Sequence, residues 1–151
     1  MELEQSCIFM KELRDDSAYN FVKVGRDFAD AARTLNKHYD NQPFWPTYFV
    51  ACQGLELYLK AFLRVQGMSV QDLKDKVGHD LQRALVKAKE LDFCRVVSLT
   101  RDEEDMIRIL SPAYLKRDFQ YKGSGEWTLC GVDALISFLD RIHNPLLGHA
   151  V

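Results

Sequence analysis

The amino-acid sequence predicts an all-α fold, an antiparallel bundle of four main helices with shorter helices between them. Three observations support this prediction. Apolar residues recur every three or four positions over long stretches, helix-capping residues precede these stretches, and proline or glycine separates them. A chain of 151 residues, 47% hydrophobic and 28% charged, suits a single globular domain. We assign residues 1–15 to an N-terminal arm and residues 16–151 to the bundle.

The first two long helices are predicted from their caps and apolar stripes. Residues 15–17 offer N-caps for the first helix. Pro43 and Pro46 interrupt it, and Pro46 suits the first turn of a second helix that runs to about Gln66, with Gly67 closing it. The second helix is apolar on two stripes, which predicts a central position in the bundle. The stripe of the first helix comprises Ala18, Phe21, Gly25, Phe28, Ala32, Leu35 and Tyr39.

The middle of the chain predicts two short helices. Ser69 and Asp72 form a weak capping box for the first of them. Gly78 interrupts this helix, and His79 with Asp80 opens the next, whose apolar residues repeat at helical spacing up to residue 91. Because aspartate is a favoured N-cap, we interpret Asp80 as the cap and not as a catalytic residue.

A second capping box starts the next helix. Thr100 and Glu103 predict a helix to about Leu110, where the Ser-Pro dipeptide is expected to end it. The Gly-Ser-Gly sequence beyond it lies between aromatic segments and suggests a small hairpin within residues 117–129.

The last main helix is expected at residues 132–143, and Pro145 is expected to disrupt it. With this helix the predicted bundle is complete.

The composition gives few functional clues. The formal net charge of −2 provides no overall field for nucleic acid or for an anionic membrane. The chain has no run of apolar residues long enough for a signal peptide or a membrane span. The four cysteines and four histidines show no metal-ligand spacing. We therefore expect a cytoplasmic protein with reduced thiols, no metal and no cofactor.

Two sequence blocks resemble the HEPN superfamily (higher eukaryotes and prokaryotes nucleotide-binding). One is the E-L-x-L-K-A block from Glu56 to Ala61, and the other is the G-H-D-L block from Gly78 to Leu81. The P-x-Y-F sequence at the start of the second helix and the Arg-Asp-Phe-Gln-Tyr segment after Tyr114 are also similar. The resemblance spans roughly residues 17–122.

The resemblance implies a helical bundle that often forms a homodimer. In bacteria such proteins are commonly tied to RNA cleavage, to toxin–antitoxin pairs or to nucleotidyltransferase partners. Many use an R-x(4–6)-H motif near the start of a late helix. In this chain Arg141 precedes His143 by two residues, so the motif is absent from that place.

One formal match to the ribonuclease motif joins Arg33 and His38 on the first helix. Residues five apart on an α-helix point about 140° away from each other. Chance is sufficient to produce one such spacing in this chain. We therefore regard Arg33 and His38 as weak catalytic candidates, and two solvated side chains near a helix end as the alternative.

Glu56 is the most informative residue, because a carboxylate within an apolar stripe needs a partner. Lys60, one turn later, and His79, after the connecting loop, are the two candidates. Either Glu56 and His79 form an acid/base pair, or they form a structural polar clamp between two helices, together with Lys60 and Asp80. We favour the structural clamp.

A basic, aromatic segment follows the helix that Thr100 and Glu103 start. Aromatic residues interleaved with lysine and arginine suit stacking on bases and pairing with phosphate. The alternative is that the rings cover the end of the bundle while the bases stay in water. The binding candidates are Tyr114, Lys116, Arg117, Tyr121 and Lys122.

Three functional hypotheses remain open. The first is a non-catalytic HEPN-like binding or regulatory module that contacts RNA, a nucleotide or a partner protein. The second is an atypical metal-independent ribonuclease, and the third is a purely structural interaction subunit. We also expect a homodimer, with Phe28, Leu135 and Leu139 as candidate interface residues.

Overall fold

A computed structural model of the chain describes residues 15–121 and 129–151, and this part of the chain is helical with no strand. The all-α prediction is confirmed. The four long helices are α1 (Ala18–His38), α2 (Trp45–Val65), α5 (Arg101–Leu115) and α7 (Val132–Ala150). The three shorter helices are α3 (Val70–Asp72), α4 (Leu81–Glu90) and α6 (Asp118–Tyr121). Helix α3 continues into a π-helical turn (Leu73–Val77), and a 3₁₀ turn follows α4 at Phe93–Arg95.

Most of the predicted caps are present. The Ser17 hydroxyl accepts the amide of Asn20 at 3.1 Å, and Thr100 forms a reciprocal capping box with Glu103. Each cap satisfies an amide that has no partner within its own helix. The helix starts were predictable because a cap is a local interaction between residues that are near one another in sequence.

Helix α2 lies at the centre of the bundle, as its two apolar stripes predict. Its buried side chains point in most directions around the helix axis, and it packs against α1, α4 and α7. The Tyr48 hydroxyl donates to the carbonyl of Cys130 at 2.7 Å, and the Tyr58 hydroxyl lies 2.9 Å from Nδ1 of His143. Burial lowers the pKa of His143, so this imidazole favours its neutral form beside the core.

Helix α1 crosses α2 at very short range through two glycines. A Cβ atom built on Gly25 would lie 2.9 Å from ring carbons of Tyr58, and one built on Gly54 would lie 3.1 Å from the Gly25 carbonyl oxygen. Neither backbone could keep this distance with a side chain at the crossing. Gly25 thus permits the close approach of the two helices.

The buried face of α1 is turned by about one residue from the predicted stripe. Gly25 and Ala32 are buried as expected, but Phe21, Phe28 and Leu35 are only half-buried. The position of the glycine crossing explains this, because the helix rolls until Gly25 faces α2. The residues that complete the buried face are Val22, Ala29 and Asn36.

Two predicted helix ends were wrong, and both involve proline. Helix α5 continues past Pro112 to Leu115, and α7 continues past Pro145 to Ala150. A proline inside a helix leaves the carbonyl four residues earlier without its amide donor. Both prolines are exposed, so water can reach the backbone there, and the buried residues beyond each proline favour continuation of the helix.

The hairpin suggested for residues 117–129 is wrong where the structure can test it, because Asp118–Tyr121 is helical. Its Gly-Ser-Gly turn lies outside the described residues, as does most of the N-terminal arm. In residues 15–121 and 129–151, no helix is both long enough and apolar enough to traverse a bilayer.

Replacing Gly25 with alanine should destabilise the protein. The added methyl meets the fully buried Tyr58 ring, and overpacking of this kind costs about 1–3 kcal/mol, which outweighs the gain of up to about 1 kcal/mol in helix propensity. Gly148→Ala is the matched control, since nothing lies within 4 Å of a Cβ there. Urea unfolding would measure both variants, and equal midpoints for the two would contradict the close-packed crossing.

Candidate functional site

The site is built around the Glu56 carboxylate, which is only 5% exposed. Lys60 Nζ donates to Oε1 at 2.6 Å, and Nδ1 of His79 lies 3.0 Å from Oε1 and 3.1 Å from Oε2. The Tyr114 hydroxyl donates to Oε2. The structure therefore brings Glu56 together with both partners that the sequence indicates, and it adds Tyr114.

An irregular segment places His79 on Glu56. The chain leaves the π-helical turn through Gly78, whose φ of +60° and ψ of −129° suit glycine and strain other residues. The Gly78 amide donates to the Leu73 carbonyl at 2.8 Å, which closes the turn. Helix α4 then starts at once, so His79 is fixed between two capped elements. Single π turns within helices are frequent at functional sites.

Asp80 is the N-cap of α4, as predicted. Its Oδ1 accepts the amide of Arg83 at 2.9 Å and the Ser111 hydroxyl at 3.2 Å. The same hydroxyl accepts the amide of Gln82 at 3.1 Å. These bonds attach the start of α4 to α5. Asp80 is thus occupied in holding two helices together.

The contacts at Glu56 determine which ring nitrogen of His79 is free. A carboxylate paired with a lysine ammonium accepts hydrogen bonds and donates none. Nδ1 of His79 must therefore carry a hydrogen, and Nε2 is the nitrogen left to meet other molecules. Burial, followed by the charge of Glu56, raises the pKa of Tyr114, which keeps its hydroxyl protonated as a donor.

His79 forms part of the wall of a small cleft beside this cluster. The side chain of His79 is 65% exposed although its Nδ1 is held by a buried group. The cleft has a volume of about 260 Å³ and lies between α2 and the C-terminal end of α5. Arg117 stands at its edge with a φ of +62°, a conformation unusual for arginine. The lining residues are Phe49, Gln53, His79, Tyr114, Leu115 and Arg117.

The predicted binding segment separates into buried and exposed residues. Tyr114 is not in a loop but in α5, and it is 4% exposed. Phe119, in the same segment, is also buried, and its ring packs 5.7 Å from Trp45 and 5.5 Å from Tyr48 between centroids. Tyr114 and Phe119 therefore belong to the core, which is the alternative that we considered for the aromatic residues.

Two basic residues of that segment, Lys116 and Arg117, are exposed. Lys116 is the C-cap of α5 and Arg117 follows it. The backbone of Tyr121 belongs to α6, and Lys122 lies outside the described residues.

The structure does not join Arg33 and His38 into a site. The Arg33 guanidinium donates to Asp30 at 2.6 Å and also to Asp140 of α7. His38 is exposed near the end of α1, with its ring 4.9 Å from that of Tyr39. Arg33 thus links α1 to α7. Among the residues that the structure describes, no group of three or more histidine, cysteine, aspartate or glutamate side chains could hold a metal ion.

The sequence analysis missed two cleft residues, Phe49 and Gln53. Their signal was present, since Phe49, Gln53, Glu56 and Lys60 step by four, three and four and so share one face of α2. Tyr114 had no comparable local signal as a partner of Glu56, because 58 positions separate the two residues.

Comparisons of the chain with models of protein families, with curated proteins and with solved structures found no match in any of the three.

Glu56→Ala and His79→Ala should each lower the free energy of unfolding, and the double variant should lose less than the sum. Removing one partner strands a polar group, at a cost of about 1–3 kcal/mol. The His79 change should lie at the low end, because that ring is mostly exposed. Chemical denaturation would measure the cycle, with His38→Ala as an exposed-histidine control. Strict additivity of the two changes would argue against the pairing.

Proposed function

We propose that the chain is a non-catalytic, HEPN-like binding module that takes a nucleotide, free or within RNA, in the cleft beside Glu56. The main support is that four residues with different recognition groups line this one cleft. They are the Phe49 ring, the Gln53 amide, Nε2 of His79 and the Arg117 guanidinium. Together they supply a stacking surface, an amide for a base edge and a cation for phosphate.

Local charge supports an anionic ligand. Lys116 and Arg117 are adjacent and exposed at the end of α5, in a chain whose net charge is −2. The guanidinium can form two parallel hydrogen bonds with a phosphate, and the lysine adds a second positive charge. Phosphate would thus lie at the rim of the cleft beside Arg117, with the charge of the adjacent Lys116 nearby.

The size of the cleft limits what enters it. A volume of about 260 Å³ is at or below the lower end of the usual range for ligand cavities, about 300–1,000 Å³. The proposal therefore places one base or one phosphate group inside the cleft, with the rest of the nucleotide or RNA outside.

Partners are part of the same proposal. A module of this kind would act as a homodimer or together with another bacterial protein, such as a nucleotidyltransferase or a toxin–antitoxin partner. Leu135 and Leu139 do not serve as contact residues, since both are fully buried in the monomer. Phe28 is half-buried at the α1–α2 crossing.

A second candidate function is supported by the His79–Glu56 pair. An imidazole whose Nδ1–H is held by a carboxylate can accept a proton at Nε2. In a metal-independent ribonuclease, Nε2 would take the proton of the ribose 2′-hydroxyl as its oxygen attacks phosphorus. The 5′-oxygen would leave with a proton from water, and Arg117 would neutralise the phosphorane.

Arg117→Ala and Phe49→Leu should weaken binding of a fluorescent adenosine nucleotide or short single-stranded RNA without unfolding the bundle, because both residues line the cleft and Phe49 is only half-buried. Loss of a stacked ring costs about 1–3 kcal/mol, which corresponds to roughly five- to 150-fold in affinity. Arg95→Ala is the matched control, since Arg95 is an exposed arginine in another turn. If the wild type shows no binding, or both variants bind normally, the structural-subunit hypothesis is favoured.

Purified protein should not cleave RNA. If it does, two variants identify the site. Loss of cleavage in His79→Gln would place it at the cleft, and loss of cleavage in His38→Ala would place it at the motif on α1. Cleavage that persists in both variants indicates a contaminating nuclease. Cleavage lost in one folded variant would replace the binding module by the ribonuclease.

Light scattering at micromolar concentration should give about twice the chain mass of 17.5 kDa. A mass equal to that of one chain would remove the homodimer from the proposal.

A further inference from the structure

A second cavity lies on the other side of His79 from the cleft. Its volume is about 540 Å³, within the range of about 300–1,000 Å³ that small-molecule sites occupy. It is enclosed by the start of α1, one face of α2 and the π-helical turn (Leu73–Val77) with its exit at Gly78 and His79. His79 is the one lining residue that this cavity shares with the cleft of the proposed nucleotide.

The walls of this cavity are mostly apolar. Phe21 comes from α1, Leu57 from α2, and Val70 and Leu73 from α3 and the π turn. Phe21, Leu57 and Val70 are only half-buried, so their open sides face the cavity or its mouth. An apolar group that enters would remove this surface from water, which is the main source of affinity for such ligands.

The polar part of the cavity is predominantly basic. Lys60 lines the cavity, and its ammonium is already paired with Glu56. Lys74 is exposed on the π turn and has no ion-pair or hydrogen-bond partner in the part of the chain that the structure describes. His79 adds a polar ring on the same side, and Asp16 is the acidic residue of the rim.

The ion pair and the hydrogen bond around Lys74 explain why it has no partner among the described residues. Its neighbour Lys76 pairs with Asp72 at 3.2 Å, and Gln71 donates to Asp75 at 2.8 Å. The nearby acids of this short helix are therefore used by other residues. Lys74 remains as a cation beside an apolar cavity.

We propose that this cavity binds a small amphiphilic anion, a medium-chain carboxylate whose alkyl chain lies against Phe21, Leu57 and Val70 and whose carboxylate pairs with Lys74. An apolar wall is complementary to this chemistry when it has at its edge a cation that no described residue pairs with. A neutral or cationic amphiphile would gain the apolar contact but would lose the ion pair.

Titration of the full chain with monomeric hexanoate, octanoate and decanoate, followed by calorimetry and methyl NMR, tests this. Affinity should rise about fourfold per methylene group until the cavity is filled, so decanoate should bind about fifteenfold more tightly than octanoate. The methyl signals of Leu57, Val70 and Leu73 should shift. Absence of saturable decanoate binding would overturn the proposal.

Two variants test the head-group contact. Lys74→Gln should weaken decanoate binding by about threefold to tenfold, while Lys76→Gln, which removes a lysine of the same turn already paired with Asp72, should leave it unchanged. Equal effects of the two changes would contradict a specific ion pair. A trimethylammonium compound of the same chain length should bind less tightly than decanoate, and equal binding would contradict the preference for an anion.

Val70→Asp tests the wall without disturbing the core, because Val70 is half-buried in the first turn of α3, where an acid is tolerated. It should abolish decanoate binding. Binding to anionic phospholipid vesicles without binding of monomeric decanoate would assign the surface to a membrane instead. None of these measurements involves a nucleotide, so their result is independent of the function proposed for the cleft.

Discussion

Three separate segments of the chain meet at the carboxylate of Glu56. The carboxylate belongs to the central helix α2, and it receives hydrogen bonds from the same helix, from the turn that opens α4 and from the last turns of α5. A buried carboxylate without donors would be very unfavourable, so the fold requires all three segments to arrive together. The helix packing on this side of the bundle follows from that requirement. So does the position of His79 between two cavities.

The same interaction explains why structural and functional interpretations of these residues are difficult to separate. Lys60 and Tyr114 satisfy Glu56 from within the protein, and each is buried or nearly so. His79 contacts Glu56 from the surface through Nδ1, and its Nε2 is left to contact other molecules. The same hydrogen bonds therefore hold the helices together and orient the imidazole. A role in binding requires only that a ligand approach the exposed side of that ring.

The sequence predicted those features that depend on neighbouring residues. The caps at Ser17, Asp80 and Thr100 and the central position of α2 follow from short-range patterns, and the structure shows them. The ends of α5 and α7 could not be predicted from such patterns. Proline is a strong local signal for a helix end, but the burial of the residues beyond it depends on the tertiary structure.

The candidate site also contains contacts that the sequence predicts and contacts that it does not. The pairing of Glu56 with Lys60 and His79 could be inferred, since a carboxylate in an apolar stripe needs donors and two lay in adjacent sequence blocks. The contribution of Tyr114 depends on α5 folding back across α2, and no spacing in the sequence encodes that contact. The cleft itself has walls from three segments, so it exists only in the folded chain.

The close crossing of α1 and α2 at Gly25 and Gly54 also has a consequence for the order in which the bundle assembles. The two helices are consecutive and joined by residues 39–44, so the entropy lost in closing this connection is small. Helix α7 packs on the same pair but leaves the ribosome after both of them during synthesis. Local contacts of this kind speed folding, which favours an α1–α2 hairpin as the early nucleus onto which α7 docks. High φ-values at α1–α2 contacts and low ones in α7 would be the kinetic signature of that order.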